Sequence, residues 1–293
     1  MTRRYLVGLL GEGIAHSLTP SMHMQEASLL GLDYEYRIHD LLDMPENVDD
    51  VGTLLARAAV EGYNALNVTH PCKQVVIPYL DELSAAASRI EAVNLVLFRN
   101  GRTVGHNTDY SGYRAAFEEG LGSFPRELVL QVGVGGAGSA TAYAALSLGT
   151  SHLMLNDLDP SRASALRNKY APLFPNQRIS VMDIDSATAQ LAVVDGVIQA
   201  TAVGMAQHPG MSFDPGRLRE GAWVSDVIYR PLETEVLTRS RELGHPVLDG
   251  GLMAVGQAVD SLRLITGLEP NAARVRLHFM ELVQDDRVAD VRD

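Results

Sequence analysis

An apolar, strand-length run, Leu128 to Val132, opens directly into Gly133-Val134-Gly135-Gly136-Ala137-Gly138 and then into an alanine-rich stretch that ends near Leu148, with Gly149 placed to cap it. No other feature narrows the possible folds as much. Strand, glycine loop and helix in this order let the backbone turn tightly and bring bare amides up to a pyrophosphate. The pattern G-x-G-x-x-G is met by Gly133, Gly135 and Gly138, with Gly136 and Ala137 in the same cradle. A nucleotide site of this kind needs an acidic residue about 20 residues further on, at the tip of the second strand. Asp157 stands there, after the apolar run that begins at His152. Its carboxylate would accept ribose hydroxyls and repel a 2′-phosphate, with Asp159 adding to the repulsion, so NAD is expected over NADP. Arg162 is the nearby cation, placed to stack on adenine or to meet a phosphate.

The rest of the chain continues the alternation. Tyr5 to Leu10 reads as a strand running into a glycine turn, Gly11 to Gly13. Thr19-Pro20 reads as a hydroxyl cap with proline at the first helical position. Residues 34–38 and Ala65 to Val68 read as strands and residues 47–61 as a helix. Asn94 to Phe98 and Thr103 to Gly105 flank Asn100-Gly101, a hairpin turn, hence one antiparallel exception in a mainly parallel sheet. Further strands are expected at Val193 to Ala200, Trp223 to Ile228 and His245 to Leu248. From Gly251 the spacing of Met253, Val255, Val259, Leu262 and Leu264 is helical, and the final DDRVADVRD reads as a solvated tail. The expected fold is α/β and two-lobed. A substrate-binding α/β domain over residues 1–110, completed by helices within 251–285, accompanies a Rossmann-type dinucleotide-binding domain over 111–250.

Composition sets limits. The 293 residues carry 24 Lys and Arg against 36 Asp and Glu, a net charge of −12, which disfavours nucleic acid as a partner. The single cysteine, Cys72, excludes an intrachain disulfide and a cysteine-rich metal site. The nine histidines have no H-x-x-x-H spacing, and no metal is expected. No apolar stretch reaches membrane-spanning length, so a cytoplasmic protein with a reduced thiol and no membrane partner is expected.

Six polar clusters fall at predicted strand ends or helix starts: Ser17-Leu18-Thr19-Pro20, Asn67 to Lys73, Ala92-Val93-Asn94, Gly105 to Asp109, Val227 to Pro231 and Gly256-Gln257. In parallel α/β sheets ligands bind at the carboxyl ends of strands. A pocket lined by these hydroxyls and amides would suit a cyclic polyol carboxylate.

These clusters also resemble a family. S-x-[ST]-P, N-V-T-x-P-x-K, A-V-N, N-T-D, G-x-G-G-x-G, D-x-x-Y-x-P and a late G-x-x-M-x-x-x-Q-A occur in this order in shikimate dehydrogenases, and the likeness spans residues 6–280. It is nearest to the NAD-using quinate/shikimate branch, because Asp157, Leu158 and Asp159 stand where NADP-using members carry N-R-T. The resemblance implies roles. Ser17 and Thr19 would bind the substrate carboxylate, with Tyr229 nearby. Thr69, Asn94 and Gln257 would hold ring hydroxyls, and Lys73 and Asp109 match the catalytic pair. Thr201, Val203 and Gly250 would lie along the cofactor, and a homodimer is the family expectation. The chain departs from the family in Gln199-Ala200-Thr201, where N-A-T is usual, and in Leu262 and Leu264, where aromatics are common.

The expected chemistry is reversible oxidation of quinate or shikimate to 3-dehydroquinate or 3-dehydroshikimate. A shikimate-preferring or aminoshikimate enzyme of the same fold is the near alternative, and a non-catalytic NAD-binding regulator the distant one. On residues alone, Asp109 reads equally well as the N-cap of a helix over 110–119. Cys72, beside Lys73, is expected to be a gap-filling spectator.

Overall fold

The computed structural model describes residues 4–290. It divides into two compact units. One takes in the chain as far as Ser111 and again from Val255, and the other is Gly112–Ala254.

The first unit is built on β1 (Arg4–Gly11), α1 (Thr19–Leu29), β2 (Asp33–Asp40), α2 (Val51–Val60), β3 (Ala65–Val68), α3 (Cys72–Val75), β4 (Glu82–Leu83), α4 (Ala85–Ile90), β5 (Leu95–Arg99), β6 (Arg102–His106) and the start of α5 (Thr108–Gly120). Its sheet runs β2-β1-β3-β5-β6-β4. β1 pairs in parallel with β2 and β3, whereas β5 is antiparallel to both β3 and β6. The hairpin forms as expected: Asn100 (φ 52°) and Gly101 (φ 74°) both take left-handed dihedrals, which match the twist of the flanking strands. Buried Leu10, Leu66, Val68 and Val96 pack with Leu54, Leu55 and Cys72 on one face of this sheet. Tyr5, Val7, Leu95 and Leu97 pack with Ile265 on the other. A strand such as Ala65–Val68, buried at every position, follows from covering both faces.

The second unit contains β7 (Leu128–Val132), α6 (Gly136–Ser147), β8 (His152–Asn156), α7 (Pro160–Tyr170), β9 (Arg178–Met182), α8 (Ile184–Gln190), β10 (Gly196–Gln199), β11 (Trp223–Asp226), α9 (Glu235–Glu242) and β12 (Val247–Leu248). All its strand pairs are parallel, in the order β12-β11-β10-β7-β8-β9. Read from the other edge this is the doubly wound 3-2-1-4-5-6 order, with its switch point between β7 and β10. The glycine loop leaves β7 at that point. Gly149 (φ 95°) closes α6: its N–H reaches Leu146 O and the Thr150 N–H reaches Ala145 O, a Schellman arrangement.

Helices α10 (Gly251–Thr266) and α11 (Ala272–Asp290) end the chain. The run expected to be a solvated tail is therefore helical as far as Asp290, while residues 291–293 lie outside the described residues. Three further differences are local. Thr19 is the first residue of α1 and not its cap; Leu18 occupies the cap, and it is the Ser17 hydroxyl that accepts the Thr19 N–H at 3.3 Å. Residues 47–61 split into a 3₁₀ turn, Val48–Asp50, capped by Asn47, and α2. The short, partly exposed strand β9 and the two-residue β4 are not predicted from sequence. Among the described residues no helix is long and apolar enough to cross a membrane.

Candidate active site

In the first unit the polar clusters fall at the ends of β3 and β6, just before the start of the antiparallel β5, at the start of α1 and within α10. β1 finishes at Gly11, and a Cβ there would come within 2.4 Å of Thr69 Cγ2 and 2.8 Å of His70 O, so only glycine lets the two strand ends pass. Asp40, at the end of β2, holds the start of the loop from Gly13 to Ser17. Its carboxylate accepts the N–H groups of Gly13 (2.8 Å), Ile14 (2.7 Å), Ala15 (3.1 Å) and Leu42 (3.1 Å). Burial alone would raise its pKa, but these amides outweigh burial and hold it below the ordinary carboxylate value. Asp40 thus places the loop that carries Ser17 and leads to Thr19.

Lys73 lies in α3, four residues after Thr69. The neighbouring Cys72 is fully buried, and burial, reinforced by the charge of Glu12, pushes its thiol up to about 11. It is protonated at neutral pH and packs as a small hydrophobe, in keeping with a spectator. Asp109 lies in the first turn of α5, but it is not the cap. Asn107 caps, accepting the Tyr110 N–H at 3.0 Å while its own amide donates to Ala92 O at 2.9 Å. The Asp109 carboxylate is therefore available to side chains. Lys73 Nζ donates to Asp109 Oδ2 at 2.6 Å, and Asn94 Nδ2 donates to Asp109 Oδ1 at 2.9 Å. The Lys73 and Asp109 side chains are 16% and 9% exposed. This is not the exposed, weakly coupled pair that chance surface charges make.

The Asn94 amide, expected to hold a ring hydroxyl, is engaged within the protein. Its hydrogens go to Thr108 Oγ1 (2.9 Å) and Asp109, and its oxygen accepts the Thr108 N–H (2.7 Å). Gln257 lies half-buried in α10. Asn67, Thr108 and Ser261, none of them singled out by sequence for a role, complete this buried polar group. The signal for Asn67 was available: an amide inside an otherwise apolar strand needs a partner.

In the second unit, Gly133 leaves β7 with φ 93°, and a Cβ there would sit 2.5 Å from Ala200 O. At Gly138 a Cβ would meet Gly133 O at 2.4 Å. Gly135 is the N-cap of α6 and offers no side chain, so the first-turn amides of Gly136, Ala137 and Gly138 have no side-chain cap. Two side chains brace this loop. Buried Gln131 donates to Gly133 O (2.9 Å) and Gly138 O (2.7 Å), and Asp157 Oδ2 accepts the Val134 N–H at 2.9 Å. Arg162 Nη1 is 3.9 Å from Asp157 Oδ1, and its Nη2 would lie 3.6 Å from a Cβ at Gly135. Bare amides at a helix N-terminus, a tight turn that a Cβ at Gly133 or Gly138 would block, and an acid at the tip of the second strand fit a dinucleotide.

Gln199, in place of the usual asparagine, makes use of its longer reach. It bonds Thr201 Oγ1 (2.8 Å), Val203 O (2.6 Å) and the Ser212 hydroxyl (2.9 Å), fixing the turn that carries Thr201 and Val203. Gly250 has a packing reason to be glycine, since a Cβ would come within 2.4 Å of Val227 O and 2.5 Å of Ile228 O. Tyr229 follows β11, half-buried. Among the described residues no group of three or more His, Cys, Asp or Glu is arranged to hold a metal ion.

Asp226, at the end of β11, is 1% exposed. It accepts the Ile228 N–H (2.9 Å) and the Thr234 hydroxyl (2.7 Å). Burial, helped by the charge of Asp249, pushes its carboxyl up to about 7 against those hydrogen bonds. In the unfolded chain the same group ionises near 3.9. Between about pH 4 and pH 7 the folded protein thus binds the extra proton, so stability falls as pH rises through that window and levels off above it. Asp226→Asn is expected to remove this slope. Its thermal midpoint should gain on the wild type at pH 8 and not at pH 4, and equal shifts at both pH values would contradict the assignment.

Residues 9–96 match the family model described as the shikimate dehydrogenase substrate binding domain. A shikimate dehydrogenase (NADP(+)) from Pseudarthrobacter chlorophenolicus is 46% identical over 288 residues, 98% of this chain and 98% of its own length. A quinate/shikimate dehydrogenase (NAD(+)) from Corynebacterium glutamicum is 44% identical over 283 residues, 96% of this chain and 100% of its own. The structure of quinate dehydrogenase from Corynebacterium glutamicum in complex with NAD matches with a TM-score of 0.90 at 44% identity, covering 95% of this chain and 99% of that one. Shikimate 5-dehydrogenase from Thermus thermophilus in complex with NADP(H) and shikimate matches at 0.82 and 29% identity, covering 95% and 99%. Identity at this level across nearly the full length of both chains reflects common descent, and the protein belongs to the shikimate dehydrogenase family.

Proposed function

We propose that the protein is an NAD-dependent dehydrogenase that reversibly oxidises the ring alcohol of quinate and shikimate, giving 3-dehydroquinate and 3-dehydroshikimate. The observation that carries this reading is the buried 2.6 Å bond from Lys73 Nζ to Asp109, with Asp109 braced by Asn94. The unit with Lys73 takes the cyclic acid, and the unit with the glycine loop takes the nucleotide. Ser17 and Thr19 bind the substrate carboxylate with hydroxyls, a neutral solution suited to a protein of charge −12. Thr69 and Gln257 hold ring hydroxyls.

When bound, the nicotinamide ring accepts the hydride from the carbinol carbon. The protein's own groups do the rest. Asp109 keeps Lys73 Nζ aimed at the carbinol oxygen, where the neutral amine takes the hydroxyl proton or the ammonium stabilises the oxygen as its proton leaves. Gly133 to Gly138 seat the pyrophosphate on the start of α6, while Thr201, Val203 and Gly250 flank the bound dinucleotide.

Asp157 supports NAD over NADP. The 46% identical Pseudarthrobacter relative is named for NADP(+), which gives the second reading, an NADP-using shikimate dehydrogenase. Initial rates of reduced-cofactor formation with quinate and shikimate, each with NAD and NADP, separate the two. Quinate and shikimate should both turn over with NAD. Asp157→Ala should shift the ratio of kcat/KM values toward NADP by about 10- to 100-fold, since it removes the charge facing a 2′-phosphate and frees Arg162. An unmoved ratio, or a wild type that works only with NADP, removes the NAD assignment.

A further inference from the structure

Ser261 lies in α10, one helical turn beyond Gln257, and is fully buried. A serine inside a helix commonly returns its hydrogen to the carbonyl four residues earlier. Here the hydroxyl contacts two side chains from the first half of the chain: Asn67 Nδ2 donates to Ser261 Oγ at 3.1 Å, and Thr108 Oγ1 lies 3.2 Å away. An amide N–H only donates, so Ser261 accepts from Asn67 and has one hydrogen left to give. Giving it to Thr108 lets the Thr108 hydrogen reach Asn94 Oδ1 at 3.3 Å, and every hydroxyl hydrogen in the group then has an acceptor. The reverse assignment strands the Ser261 hydrogen among these contacts. At one end the Tyr36 hydroxyl donates to Asn67 Oδ1 at 3.0 Å, and at the other Asn94 Nδ2 donates to Asp109 Oδ1 at 2.9 Å. A path of donors therefore runs from Tyr36 through Asn67, Ser261, Thr108 and Asn94 to the carboxylate that holds Lys73, with Asn94 Nδ2 also donating back to Thr108 Oγ1 at 2.9 Å, and bonds linked in this way polarise one another.

We propose that Ser261 is a positioning residue for the Lys73–Asp109 pair, acting through Thr108 and Asn94 and setting α10, with Gln257, in register against that pair. The proposal rests on the reading of Lys73 and Asp109 as the reacting pair.

The test is a double-mutant cycle on the full-length enzyme, with initial rates on shikimate and NAD. Ser261→Ala should lower kcat about 5- to 10-fold, as expected for one buried hydrogen bond, and leave the KM for NAD unchanged. Thr108→Val should do likewise, and the double variant should be no slower than the slower single variant, because both changes cut the same chain of bonds. Ser261→Cys, which keeps the shape and a weak donor, should fall between wild type and Ser261→Ala, and it replaces the alanine variant in the cycle if that variant does not fold. A wild-type kcat in the Ser261 variants, or losses that multiply in the double variant, overturns the proposal. Lys73→Ala is measured alongside. An inactive Lys73→Ala beside an unaltered Ser261→Ala removes only the role of Ser261, whereas an active Lys73→Ala removes the underlying reading.

Discussion

Lys73→Ala is expected to lower kcat by about 10²- to 10⁴-fold with a modest change in KM. The argument is local. Nζ is held 2.6 Å from Asp109 Oδ2 in a site where both side chains are largely shielded from water, and α3 and α5 supply fixed backbones for them. Removing the amine takes away the group that manages the carbinol proton and leaves a nearly buried carboxylate with Asn94 as its remaining side-chain partner, apart from backbone and solvent. Lys73→Arg should not restore turnover, because a planar guanidinium cannot put a single compact donor at the same point. Binding of NAD to the variant, followed by fluorescence titration, should be unchanged, since the glycine loop belongs to the other unit. Turnover within about threefold of the wild type would refute the role of Lys73.

Gly133→Ala is expected to be the most damaging small substitution in the nucleotide unit. Two costs coincide there. The dihedral φ of 93° is one that L residues rarely adopt, and the added Cβ would sit 2.5 Å from the backbone oxygen of Ala200. The Cβ would also lie 2.7 Å from the carbonyl carbon of Ala200 and 2.8 Å from Thr201 Cγ2, and turning the threonine side chain aside would not relieve the backbone clash. The expected loss is about 3 kcal/mol of stability. The KM for NAD should rise at least about tenfold, because the displaced segment carries the amides of the cradle. Gly149 is the control. Its φ is 95°, but nothing lies within 4 Å of a Cβ built there, so Gly149→Ala should cost about 1 kcal/mol and leave the KM for NAD untouched. Thermal unfolding and cofactor titration of the two variants check the pair, and equal effects at both positions would show that close approach to Ala200 plays no part.

The contrast between these glycines separates the readable from the unreadable. G-x-G-G-x-G after an apolar strand marks a phosphate-binding turn because glycine is needed for local backbone reasons, and Asn100-Gly101 marks a hairpin for the same kind of reason. The acid at Asp157 was legible because one strand and one helix set its spacing from the loop. The sequence does not say whether Thr19 or its neighbour precedes the first helical residue, nor whether Asp109 or Asn107 caps α5, because a cap is decided by which side chain completes a hydrogen bond. Strand β9, RISVM, is only five residues long and stays partly exposed throughout, and its place at the edge of the sheet is conferred by pairing with β8.

Local chemistry along the chain therefore settled the α/β class, the order of the motifs and the kind of ligand each could meet. Tertiary structure alone decided that Asn94 turns its amide onto Thr108 and Asp109, that Asp40 holds the loop before Ser17, that Gln131 clamps the glycine turn, and that Ser261 returns from the far end of the chain to Asn67 and Thr108. A hydrogen bond forms only when donor and acceptor come to about 3 Å at a suitable angle. Separation along the sequence does not specify that geometry between residues on different elements; the packing of those elements does.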